Sequence, residues 1–173
     1  MGNNLSNYDI IRVTPTLDTN AYAHGDVVFT ATEIPNAVYG KGGCSKLIGG
    51  YIIDKSDTDD TDIIFVFSEG NTALGTINAT ADISDADLLA NNVCGVSKFD
   101  NDQATSGGII DGLRIHQMLP ASVVGENNDN IMLLQAASDS TSVFVQGVLQ
   151  SSTTPTFADG DIQLILHIQK RWV

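Results

Sequence analysis

The chain has 173 residues, 42% of them hydrophobic and only 17% charged, with 21 Asp and Glu against 8 Lys and Arg and a formal net charge of -13. A chain of this length buries roughly two-thirds of its unfolded surface around one core, so a single domain needs no metal or disulfide staple. Eight scattered basic residues make no phosphate-binding patch and no apolar run approaches the roughly 20 residues of a membrane span, so neither nucleic acid nor membrane is expected as a partner.

Residues 1–7 read as an N-terminal arm of the kind that orders against a partner. They show no basic region followed by an apolar stretch, so no secretory leader is expected and the product is expected to be made in a cytoplasm. Residues 8–173 read as one β-sandwich domain. Short apolar runs separated by turn residues recur near 8–14, 26–34, 45–55, 61–68, 93–99, 108–118, 130–137, 141–150 and 160–169. These are about nine strands, the signature of an all-β sandwich or jelly-roll-like module.

Within that order Gly40-Lys41-Gly42-Gly43 reads as a turn before the strand that begins near Cys44, because it lacks the spacing of a phosphate-binding loop. Cys44 and Cys94 lie 50 positions apart with no CxxC spacing. They read as buried free thiols, with a single disulfide as the alternative. The polar stretch 54–62 reads as a hairpin tip. Its aspartates could attract a hard cation, but Asp57-Thr58-Asp59-Asp60-Thr61-Asp62 lacks the glycine and the bidentate glutamate of a calcium loop, so no metal is assigned.

Ile63, Ile64, Phe65, Val66 and Phe67 form an unbroken apolar run, suited to a strand covered on both faces or facing a neighbouring subunit. One short helix is expected after Ser84. Ser84 caps it, Asp85 and Asp87 favour its positive end, and Leu88 and Leu89 are free to dock, with an end by Asn91 or Asn92. His116 and His167 fall inside strands and His24 stands apart, so a sheet-face or interface role is expected for the strand histidines. No nucleophile motif or clustered metal ligands accompany them, so no enzyme, catalytic residue or cofactor is predicted. In the last strand Ile162, Leu164, Leu166 and Ile168 alternate with Gln163, Ile165, His167 and Gln169, so one face is apolar and the other mixed. The turn Ala158-Asp159-Gly160-Asp161 opens it.

The stretch from Val13-Thr14-Pro15-Thr16-Leu17-Asp18 through His24-Gly25-Asp26-Val27-Val28-Phe29, then Glu33-Ile34-Pro35-Asn36-Ala37, Ile83-Ser84-Asp85-Ala86-Asp87 and Asp161-Ile162-Gln163-Leu164-Ile165-Leu166, resembles the capsid decoration (cement) proteins of tailed bacteriophages. The resemblance implies a β-sandwich or jelly-roll module, often a trimer, which sits on the outer capsid surface of the virion and ties neighbouring capsomers together. Its partners would be the major capsid protein and itself as a homo-oligomer, assembled in the host cytoplasm.

No set of functional residues travels with that resemblance. The candidate contacts are Leu5 and Tyr8 near the arm and Lys170, Arg171 and Trp172 at the basic end, since Trp and Arg are favoured at interface hot spots. The competing readings are a carbohydrate- or receptor-binding module of a virion fibre and a metal-dependent hydrolase on a jelly-roll scaffold. The first needs a concave aromatic face and the second needs converging histidines.

Overall fold

A computed structural model describes residues 7–56, 61–99, 108–110, 113–120 and 131–170. It contains β1 (Tyr8–Val13), β2 (Val27–Ile34), β3 (Cys44–Asp54), β4 (Ile63–Ser68), helix α1 (Asp85–Ala90), β5 (Val93–Phe99), β6 (Gly108–Ile110), β7 (Leu113–Pro120), β8 (Met132–Gln135), β9 (Val143–Leu149) and β10 (Ile162–Gln169). All strand pairs are antiparallel.

Eight of the strands form two sheets of four, with order β1-β10-β3-β7 in sheet I and β5-β4-β9-β2 in sheet II. That is the strand order of a jelly roll: β1 pairs with β10, β2 with β9, β3 with β7 and β4 with β5, a nested ribbon folded over on itself. The sheets join along one side, where Ser97 and Lys98 of β5 pair with Pro120 and Leu119 of β7.

Local sequence explains the strands that position the rest. The apolar run of β4 lies between β5 and β9, inside sheet II. In β10 the residues Ile162, Leu164, Leu166 and Ile168 are all buried, and their neighbours are half-buried. The turn before β10 is closed by Asp161, whose backbone N–H donates to the Ala158 carbonyl (3.1 Å) and whose carboxylate accepts from the Ala158 N–H (2.6 Å). Gly160 occupies the left-handed region there (φ 81°), a conformation that costs glycine nothing.

The two inner faces meet in one core. Sheet I contributes Ile11, Val13, Leu47, Ile52, Leu134, Leu164, Leu166 and Ile168, and sheet II contributes Phe29, Ile34, Ile63, Phe65, Phe67, Val143, Val145 and Leu149. Phe29 and Phe65 pack with ring centroids 6.0 Å apart. At one end Tyr22 meets Phe157 edge-on at 5.5 Å. Its hydroxyl accepts from the Asp18 N–H (2.7 Å) and donates to the Val28 carbonyl (3.2 Å). A buried tyrosine needs such partners, and the same burial raises its pKa above 10.0.

Among the described residues the strands number ten, against the expectation of nine, because the stretch 108–118 falls in two strands. β6 and β7 pair with each other, Gly108 opposite Ile115 and Ile110 opposite Leu113. The residues between them are Asp111-Gly112, the dipeptide that favours a two-residue hairpin loop, and the apolar residues on both sides masked it. β7 and β8 in turn share one place beside β3. β7 pairs with Gly50–Asp54 and β8 with Cys44–Leu47, so a single lane of sheet I is filled by two strands. Opposite that junction β3 carries a bulge: His167 faces Gly49 but Ile168 faces Leu47, which leaves Ile48 as the extra residue.

The outer faces of the two sheets differ. The chain between β4 and β5 folds back over sheet II and is pinned by Gln146, which is fully buried. Gln146 accepts from the Leu74 N–H and donates to the Thr72 carbonyl, both at 2.9 Å. Asn91 holds the same segment by accepting from the Thr72 N–H (2.9 Å) and donating to its carbonyl (2.7 Å). Helix α1 closes this excursion. It begins as its sequence predicts, with Ser84 Oγ accepting from the Asp87 N–H (3.2 Å), and ends at Asn91. Contrary to expectation Leu88 and Leu89 do not dock; no residue of α1 is buried.

Candidate interaction face

The outer face of sheet I is built by strand periodicity. In β1 the inward positions are Ile11 and Val13, so Tyr8, Ile10 and Arg12 turn outward. β10 adds Gln163, Ile165, His167 and Gln169, and β3 adds Cys44, Lys46, Ile48, Tyr51 and Ile53, with Leu133 and Gln135 from β8.

The pairing register arranges these side chains in rows across the strands. One row runs Tyr8, Gln169, Lys46, Leu133; the next has Ile10, His167 and Gly49 with the bulged Ile48 beside it; a third has Arg12, Ile165 and Tyr51. Tyr51 and His167 touch edge-on, with ring centroids 5.5 Å apart. Gly49 has open space where a Cβ would stand, so the middle row contains a step.

Two properties set this face apart. First, Tyr8, Ile10, Ile48, Tyr51, Ile131 and Leu133 are all exposed there, and Tyr8, Ile10 and Leu133 are each more than half exposed. Exposed apolar side chains gathered on one sheet face, here interleaved with Gln169, Lys46 and His167, are the kind of surface that marks an interaction site. Second, among the described residues no outward position of the sheet is Asp or Glu, in a chain with 21 of them. Arg12 and Lys46 supply positive charge instead. The acid on β1, Asp9, has the opposite parity and sits at the strand edge. There one carboxylate oxygen accepts from the Ile10 N–H (2.9 Å) and the other from Lys170 Nζ (2.8 Å). The Lys170 hydrogen bond, more than the Ile10 N–H, holds the Asp9 carboxyl below its usual pKa of 3.8.

Of the contact residues expected from sequence, Tyr8 and Lys170 come together at one corner of this sheet. Tyr8 pairs with Gln169, and the Lys170 N–H donates to the Asn7 carbonyl (2.8 Å), so β1 and β10 bring Asn7 and Lys170 side by side. Leu5, Arg171 and Trp172 lie outside the described residues. No family model, curated protein or solved structure matches this chain.

The other sequence candidates do not gather into a site. His24 Nδ1 lies 3.3 Å from the Ser151 carbonyl, beside the start of β2, whereas His167 stands on the outer face of sheet I. Of the acidic stretch 54–62, Asp54 is buried and accepts from the Ser56 N–H (2.8 Å), and Asp62 pairs with Lys98 (3.0 Å). Residues 57–60 lie outside the described ones. Among the described residues no group of three or more His, Cys, Asp or Glu is placed to hold a metal ion, and no helix is long and apolar enough to cross a membrane.

Both cysteines are free thiols, but Cys44 is exposed on the outer face of sheet I, against the expectation of burial. The alternation of β3 explains this, since Ser45 and Leu47 take the inward positions. Cys94 is half-buried, its Sγ 3.8 Å from the Gln135 carbonyl oxygen, and burial raises its pKa above 9.0.

The acid-free face itself was not singled out from sequence. Part of its signal was visible in the mixed face of β10, where Gln163, Ile165, His167 and Gln169 contain no acid. The remainder required the register that sets Ile10, Ile48 and Leu133 on the same side.

Proposed function

We propose that this chain is a non-catalytic structural protein of a bacteriophage virion that attaches to the outside of the capsid and stabilises contacts between capsomers. The observation that carries the reading is the outer face of sheet I, rich in exposed apolar side chains and, among the described residues, with no outward carboxylate on an otherwise acidic molecule, the surface of a protein whose work is association. The resemblance of four sequence segments to capsid decoration proteins supplies the partner, and the jelly-roll strand order is compatible with it.

The corner where Tyr8 pairs with Gln169 is the part of the face assigned to the shell. Tyr8 offers an amphipathic ring there, Lys170 is held beside it by Asp9 at the strand edge, and Arg171 and Trp172, which follow in the sequence, would add cation and aromatic. Contacts of this kind, repeated at symmetric positions, reach lasting attachment without any one of them being strong.

The test is co-sedimentation of the purified protein with capsids that lack decoration, followed by cryo-electron microscopy. Ordered density on the capsid exterior, with Tyr8→Glu weakening retention at least tenfold, is the expected result. Capsids left bare at saturating protein would overturn the reading, and selective binding on a glycan array would replace it with a carbohydrate-binding module.

A further inference from the structure

Among the described residues the exposed large apolar side chains, Tyr39 apart, fall into two groups. One is the outer face of sheet I. The other is Leu88, Leu89, Val93 and Val96, on α1 and the start of β5, with Leu89 77% exposed. Asp85 and Asp87 stand in the first turn of α1, with no basic residue in its last turn. A helix of six residues gains little from its own hydrogen bonds and ordinarily depends on packing one face against something else. Here nothing of α1 is buried within the chain, so its leucines are an unpartnered apolar surface edged with carboxylates. The outer face of sheet I is the reverse: exposed apolar side chains edged with Lys46 and Arg12, with Asp or Glu at no outward strand position among the described residues.

We propose that α1 of one copy seats on the outer face of sheet I of a second copy. Leu88 and Leu89 lie against Ile48, Ile131 and Leu133, and Asp85 approaches Lys46, which stands beside Leu133 in the register. Complementarity decides for this arrangement over the two like-with-like pairings. Face against face would bring Lys46 and Arg12 toward their own copies, and helix against helix would oppose aspartates; like charges brought together in this way disfavour the wrong pairing. The seat uses the β3–β8 end of the face and leaves the Tyr8–Lys170 corner free. The inference rests on the reading of the chain as an association module, but not on what the terminal corner binds.

The experiment is sedimentation velocity on the full chain and on two single variants, Leu89→Lys and Leu133→Glu. Both positions are exposed, and circular dichroism and thermal melting check that the fold is kept. The wild-type chain is expected to associate at about 100 μM. Each variant alone is expected to associate at least tenfold more weakly. An equimolar mixture of the two is expected to regain association, because it offers an intact α1 on one chain and an intact face on the other.

A wild-type chain that stays monomeric, a Leu89→Lys chain that associates like wild type, or a mixture that stays monomeric would each overturn the proposal. Self-association by this rule in a protein that leaves capsids bare would keep this inference and remove the capsid reading.

Discussion

Asp9 shows how a single side chain guards an exposed strand. β1 is the outer strand of sheet I, and an edge of this kind presents backbone donors to any passing strand. The Asp9 carboxylate caps the Ile10 N–H and is itself held by Lys170. Because the folded-state pKa is lowered, this stabilisation is fully present above the unfolded value near pH 4 and is lost as pH falls through the lowered one. A half-exposed pair of this kind contributes at most about 1 kcal/mol. The expected outcome is local: as pH falls from 6 to below the lowered pKa the Ile10 amide loses protection from hydrogen exchange relative to Ile11. Asp9→Ala removes that protection at every pH in the range. An Ile10 amide equally protected at both ends of the range would contradict the guarding role.

At the scale of elements, the bulge in β3 and the glycine after it shape the face. Gly50 lies opposite Leu166, and a Cβ there would come within 2.5 Å of the Ile165 carbonyl oxygen, a backbone atom. The backbones of β3 and β10 approach at a point where only glycine fits, next to the place where Ile48 is pushed out of register. Gly50→Ala therefore has to move one of two central strands, at a cost of about 1–3 kcal/mol. It is expected to lower the thermal midpoint and to change the near-ultraviolet signal of Tyr51, one residue away. Gly49→Ala meets no neighbouring atom, but its φ of 151° strains any side chain. It is expected to cost less and to fill the step in the face. Equal losses at the two positions would argue against the close approach of β10.

The whole molecule is a nested ribbon in which the first strand pairs with the last and the second with the last but one, so nearly all of its sheet is long-range. Such topologies fold slowly, on the order of milliseconds to seconds, because loop closure precedes the contacts that reward it. The two outermost partners differ in weight. β10 lies between β1 and β3, whereas β1 has β10 alone. Removal of 160–173 strips both neighbours of their partner and is expected to abolish the cooperative melt. Removal of 1–13 is expected to leave a lower but still cooperative transition. A cooperative melt after the loss of β10 would show that the core closes without it.

Sequence by itself determined the class of this fold and much of its detail. Alternation in β10, the unbroken apolar run of β4, the glycine turn before β3 and the Ser84 cap are all local effects, encoded in side chains a few positions apart. One local signal was present but hidden, Asp111-Gly112 inside an apolar stretch, and another was overridden, the two leucines of α1 that looked ready to dock. What only the tertiary structure decided is which residues share a surface. Tyr8, Lys46, Ile48 and Leu133 come from strands far apart in the chain, and the absence of carboxylates among them emerges once the β1-β10-β3 register is set. Strand periodicity assigns each residue to a side of its own strand, but the long-range hydrogen-bonded pairing assembles those sides into one face.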